Sequence, residues 1–160
     1  MELSPGAFPA RYELKEAETN ADHADRRLVP VSSCDVLSLL ATVHVGRIAY
    51  RDRALPGIQV VSHVIDGGDI MIRSHGRPPV VPPTAGNVVL AYEADVVDPE
   101  TFAGWRVTVT GNAGLICDPG DVARYHRVLP LWPVSSGTGQ LIRLHPGLMG
   151  GYRFPGRDGA

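Results

Sequence analysis

The sequence predicts a mainly β protein with two short helices, its six or more antiparallel strands closed into a small barrel. Three observations predict it. Between Val45 and Ser74 the pattern turns to period two and is broken only by turn signals; two further strand-like runs, 87–97 and 105–116, follow a proline-rich break; and helical spacing is confined to two stretches. That many strands in one sheet leave open edges, which closure into a barrel removes.

Residues 1–31 carry Glu13, Lys15, Glu16, Glu18, Asp22, Asp25, Arg26 and Arg27 among few large apolar groups, so this stretch is expected to be a polar tail or an arm laid over a neighbour. The folded domain is expected over 32–154, with 155–160 as a C-terminal tail. A helix opens near Ser32 or Ser33, where Ser32 and Asp35 stand at capping-box spacing ahead of Val36, Leu37, Leu39 and Leu40, and it should end between Thr42 and Gly46.

From Val45 the period is two, with Gly46, Ile48 and Tyr50 on one face and Arg47, Ala49 and Arg51 on the other. Leu55-Pro56-Gly57 reads as a turn and Ile58 to Asp66 as a second strand. Asp66-Gly67-Gly68-Asp69 signals a tight hairpin before Ile70 to Ser74. Pro78, Pro79, Pro82 and Pro83 exclude a helix interior between Gly76 and Gly86 and predict an ordered loop. The run from Trp105 to Ile116 should bulge at Gly111 or Gly114, with Trp105, Val107 and Val109 sharing one face and Trp105 in the core.

Asp118-Pro119 reads as an N-cap followed by proline at the first helical position, and the second helix runs through Val122, Tyr125, Val128 and Leu129 until Pro130 stops it. After Leu131-Trp132-Pro133 and a Ser/Gly-rich link, a last strand is expected from Gln140 to Leu144, with a separate short finish over Gly150 to Phe154.

Composition narrows the functional classes. The 160 residues suit one domain, and 15 basic against 17 acidic residues give a formal charge of −2, which argues against nucleic-acid binding and against a polybasic membrane patch. No stretch approaches the roughly 20 apolar residues of a membrane span, so a soluble cytoplasmic protein is expected. Cys34 and Cys117 lie far apart and in no Cys-x-x-Cys motif, which predicts two buried free thiols. His23, His44, His63, His75, His126 and His145 lack metal-ligand spacing, and no P-loop, Rossmann or Gly-x-Ser-x-Gly motif occurs.

The chemistry concentrates at the end of the third strand. Arg73, Ser74 and Arg77 place two guanidinium forks and a hydroxyl where a phosphate dianion could be held. Arg143, alone among apolar strand residues, needs an acidic partner or solvent, and Glu93 or Asp95 are candidates.

In motif order the chain resembles the pyridoxamine 5'-phosphate oxidase-like family of FMN-binding split barrels. The resemblance rests on Val45-Gly46-Arg47-Ile48-Ala49, on Val64-Ile65-Asp66-Gly67-Gly68 leading to Ile72-Arg73-Ser74, and on Gly104-Trp105-x-Val107-x-Val109-x-Gly111. Leu129-Pro130-Leu131-Trp132-Pro133 and Ile142-Arg143-Leu144-His145-Pro146 continue it, over roughly residues 33–154. It implies a homodimeric split barrel with flavin sites at the subunit interface, usually for FMN and in some branches for F420 or haem. The matching cofactor positions are Val61, Ser62 and His63 on the second strand, then Arg73 and Ser74, and more loosely Arg77; His75 stands beside them as a further candidate, and Trp132, in its proline-bounded loop, is placed at the mouth of the site or at the dimer interface.

Such a protein would be an FMN-dependent oxidoreductase acting on a small molecule. The alternative is a non-catalytic dimer that binds F420, haem or another ligand, or in which flavin binding is lost. One departure favours the alternative: Arg77-Pro78-Pro79-Val80-Val81-Pro82-Pro83 stands where the family carries a helix, and prolines have no N–H to offer an anion.

Overall fold

Strict alternation fixes the first wall of the barrel: along Val45–Asp52, Gly46 and the side chains of Ile48 and Tyr50 are buried while Val45, Arg47, Ala49 and Arg51 are exposed. A computed structural model describes residues 28–75, 78–130 and 139–156. Its elements are β1 (Val29–Val31), α1 (Ser33–Leu40), β2 (Val45–Asp52), β3 (Leu55–Asp66), β4 (Asp69–Arg73), β5 (Val88–Val97), β6 (Ala103–Leu115), α2 (Pro119–Val128) and β7 (Leu141–Pro155). The sheet order is β1-β7-β4-β3-β2-β5-β6, and β6 pairs back onto β7. Strands β2 to β7 thus close a six-stranded antiparallel barrel, with β1 laid along the C-terminal half of β7.

The barrel is split between β2 and β5. Their pairing runs from Arg47↔Glu93 to Ala49↔Ala91, whereas β5 and β6 pair from Val88↔Ala113 to Val97↔Gly104. The interior is filled by Ile48, Val61, Ile70, Ile72, Leu90, Tyr92, Val107, Val109, Ile142 and Leu144, each at most 3 % exposed, and Trp105 joins this core as expected. A smaller outer core of Met71, Tyr125, Leu129 and Leu141 seats α2 on the outside of β4 and β7.

Several expectations hold in detail. Gly67 and Gly68 both take φ > 0, as a tight primed hairpin turn requires. Asp118 caps α2, accepting from the Asp121 N–H at 3.0 Å, with Pro119 in the first turn. The register between β6 and β7 shifts at Thr110/Gly111, next to one of the expected bulge positions, but the extra residue is Gly147, so the bulge is in β7 and not in β6.

Others are corrected. Leu55-Pro56-Gly57 belongs to β3 and pairs with Asp52, Arg51 and Tyr50; the turn is at 53–54, where Arg53 takes φ 58. Proline is tolerated at position 56 because β4 pairs with β3 only from Ser62 onward, so Pro56 has an open side where no N–H is needed. The last strand does not stop at Leu144: β7 runs unbroken to Pro155, and its bulge absorbs Pro146 and Gly147. Helix α1 ends at Leu40, earlier than expected, and at its start Ser32 Oγ bonds the Asp35 carboxylate at 2.6 Å rather than a backbone N–H. Val29–Val31, read as part of a polar arm, is β1. Both cysteines are exposed, not buried: Cys34 is in the first turn of α1 and Cys117 is just before the α2 cap.

Candidate functional site

The second strand of the sequence reading, β3, carries Val61, Ser62 and His63 in a row, and all three are buried because the barrel wall is covered on both sides there. Val61 and His63 face inward. Ser62 faces outward, beneath the C-terminal end of α2, and its hydroxyl donates to the Pro130 carbonyl at 3.1 Å. Arg73 is its register partner on β4. From there the Arg73 guanidinium donates through Nη1 to the carbonyls of Leu129 at 3.1 Å and His126 at 3.4 Å. These are carbonyls of the last turn of α2, which a helix leaves unpaired and slightly negative, so a buried cation caps them well. Arg73 is 7 % exposed, and its Nε–H has no hydrogen-bond partner among the described residues.

Ser74 continues the β4–β7 pairing past the strand end. Its N–H donates to the Gln140 carbonyl at 2.9 Å, and its Oγ accepts from the Gln140 N–H at 3.1 Å. The Gln140 side chain then reaches the proline-rich segment, with Oε1 accepting from the Val81 N–H at 3.1 Å and Nε2 donating to the Val81 carbonyl at 2.6 Å. One residue therefore fastens the end of β4 and the Pro78–Pro83 loop together. The loop is ordered as expected, and Val80 and Val81 are packed into the main core.

His63 is a core histidine. Its Nε2 lies 2.9 Å from the Leu40 carbonyl and its Nδ1 2.5 Å from Tyr92 Oη. A carbonyl can only accept, so the proton sits on Nε2, and Nδ1 receives the Tyr92 hydroxyl proton. The rings meet edge-on, with centroids 5.2 Å apart. Burial lowers the His63 pKa below its usual value and raises that of Tyr92, so both are neutral at pH 7.

The structure therefore brings Ser62 and Arg73 together under one helix end, ties Ser74 to Gln140 just before β7, and puts Val61 and His63 in the barrel interior. His75, half-buried, follows Ser74. Arg77 and Trp132 lie outside the described residues. Arg143 pairs with neither Glu93 nor Asp95. It reaches Asp121 at 3.3 Å and Asp69 at 4.0 Å, while Glu93 faces Arg106 and Asp95 faces Arg47.

Two residues that organise the site escaped the sequence reading. Tyr92 had a signal in Gly46, because any side chain at position 46 would collide with the Tyr92 ring. Gln140 had none, since its importance depends on the loop it meets. No group of three or more His, Cys, Asp or Glu side chains among the described residues forms a metal site. No helix among them is long and apolar enough to cross a membrane.

A split barrel with a buried arginine and serine at the end of β4 defines a class, and the comparisons agree with it. Residues 32–147 match the family described as pyridoxamine 5'-phosphate oxidase, and the chain belongs to that family. It is 35 % identical over 133 residues to an uncharacterized protein of Mycobacterium tuberculosis, covering 81 % of this chain and 87 % of the other. Among solved structures it resembles a Corynebacterium glutamicum protein provisionally named a pyridoxamine 5'-phosphate oxidase (TM-score 0.61, 24 % identity, covering 81 % of this chain and 95 % of the other). It is also similar to an FAD-binding protein of Mycobacterium smegmatis (TM-score 0.58, 25 % identity, 81 % and 99 %).

Proposed function

We propose that the chain is a homodimeric, cytoplasmic flavin-dependent oxidoreductase that holds FMN and acts on a small molecule. The observation that carries this reading is Arg73: in a chain of this family, a buried arginine at the end of β4 keeps an Nε–H without an acceptor among the described residues. A buried donor left unmet is costly, and an anionic oxygen would satisfy it. Ser62, Ser74 and His75 lie on the same stretch of β3 and β4. Arg73 fits an anion-bearing cofactor as its charge partner. The bound flavin supplies the redox chemistry, and this chain supplies anchoring, orientation and exclusion of water. The similarity to an FAD-binding protein supports a flavin of some kind.

The homodimer is supported by an outward row that crosses five strands, Ile58, Ala49, Ala91, Thr110 and Leu148, in which Ile58 is 71 % and Leu148 77 % exposed. Apolar surface on that scale favours a partner over water. Two free thiols support a reducing compartment. Substrate identity does not follow from the family, since one fold hosts many chemistries.

A second reading, a non-catalytic dimer that binds F420, haem or another ligand, or no flavin, is favoured by how far the anchors are already engaged. Arg73 Nη1 and the Ser74 hydroxyl are both committed to protein carbonyl and amide groups. Titration of the apo-protein with FMN, F420 and haem, followed by fluorescence and absorbance, decides between the readings. Tight FMN binding with oxidation of a reduced nicotinamide supports the enzyme. Arg73→Lys should then weaken FMN by roughly 1–3 kcal/mol while riboflavin, which lacks the phosphate, is unaffected. Absence of flavin binding overturns the first reading.

A further inference from the structure

We propose that the opening in the barrel wall between β2 and β5 is a binding site for a monocarboxylate with an apolar tail, its head on Arg51 and its tail against Val80, Pro82, Val88 and Leu90. The opening begins where strand pairing ends. After Ala49↔Ala91 the two strands no longer pair, so Tyr50 and Arg51 on one side and Val89 and Leu90 on the other border a cavity of about 560 Å³. In a continuous sheet, inward and outward side chains cannot line one cavity. Here inward Tyr50 and Leu90 and outward Arg51 and Val89 do so together, because the wall itself is interrupted.

The walls define the ligand. Tyr50, Val80 and Leu90 are 8 %, 2 % and 3 % exposed, and with Pro82 and Val88 they make an apolar channel of a size usual for small-molecule sites, roughly 300–1,000 Å³. Arg51 stands at its mouth, exposed, with no ion pair among the described residues. The other arginine on the outward face of β2, Arg47, is engaged with Asp95. Tyr50 Oη accepts from Gln59 Nε2 at 3.2 Å and donates to no described residue. A single guanidinium above an apolar channel selects one negative charge with a hydrocarbon or aromatic body behind it. The floor, Val80 and Pro82, belongs to the proline-rich loop that replaces the helix expected for the family. The lining includes Ala49 of the outward row and none of Ser62, Arg73 or Ser74.

The test uses the full-length protein, ¹⁵N-labelled, titrated with sodium octanoate and with 1-octanol as the uncharged control. Octanoate should shift the amide signals of Tyr50, Arg51 and Val88–Leu90. Arg51→Gln, at an exposed position, should weaken octanoate roughly tenfold or more while leaving octanol within about twofold. Val89→Trp, which crowds the opening from an exposed position, should weaken both. The proposal is overturned if octanoate shifts no signals, shifts a different region, or loses no affinity in Arg51→Gln. It is equally overturned if FMN competes with octanoate for the cleft, whereas a failure to bind FMN at all leaves it standing.

Discussion

Tyr92→Phe removes one oxygen from the centre of the barrel, and the structure sets what that should cost. The hydroxyl is the sole donor to His63 Nδ1 among the described residues, at 2.5 Å, and both side chains are fully buried. Phenylalanine keeps the ring, its edge-on contact with His63 and its fit against Gly46, so little packing is lost. What remains is a buried imidazole nitrogen with no hydrogen-bond donor, a defect worth roughly 1–3 kcal/mol. For a domain of this size that lowers the melting temperature by roughly 4–12 °C. Urea denaturation gives the free energy directly, provided the slope is unchanged. His63→Leu and the double variant complete a cycle whose coupling should be roughly 1 kcal/mol or more. A Tyr92→Phe protein within about 0.5 kcal/mol of the parent, or a coupling near zero, would refute the buried pair.

Three further outcomes are expected. Because burial depresses the His63 pKa, the unfolded chain takes up this proton first, so His63's contribution to stability is complete above the unfolded value of about 6.5 and declines as pH falls below it; replacing His63 by Leu should flatten that part of the stability–pH curve. Gln140→Ala frees the Val81 N–H and carbonyl, and hydrogen exchange at the Val81 amide should quicken at least tenfold, while unchanged protection would mean another group holds the loop. Cys34 and Cys117 should both react with a thiol reagent in the native protein, two equivalents per chain, and a native count below two would contradict their exposure.

Local chemistry wrote the parts of this fold that the sequence made legible. The period of two in β2, the Gly67-Gly68 turn and the Asp118-Pro119 cap each depend on residues a few positions apart, and each appears where the pattern puts it. Tertiary contact decided the rest. Pro56 looked like a turn because nothing nearby reveals that β4 leaves that side of β3 open, and Pro146-Gly147 looked like a break because the bulge that accommodates them is defined by β6. The site divides in the same way. Arg73 and Ser74 were legible as polar groups at a strand end, but the α2 carbonyls that engage Arg73 lie more than fifty residues further on. His63 read as a site residue because alternation cannot say which face of β3 looks into a closed barrel, and only Tyr92 on β5 answers that.

Strand β7 has a consequence for how the chain is made. It pairs with β4 through Leu141–Leu144, with β6 along nearly its whole length and with β1 through Gly151–Arg153, and it is made after all the other described elements. Until it emerges, β4 and β6 both present bare edges, and the newest segment must find a partner translated more than a hundred residues earlier. The barrel therefore stays open until β7 has been made. A chain that ends prematurely before residue 141 should be a substrate for chaperones and proteases rather than a smaller working barrel.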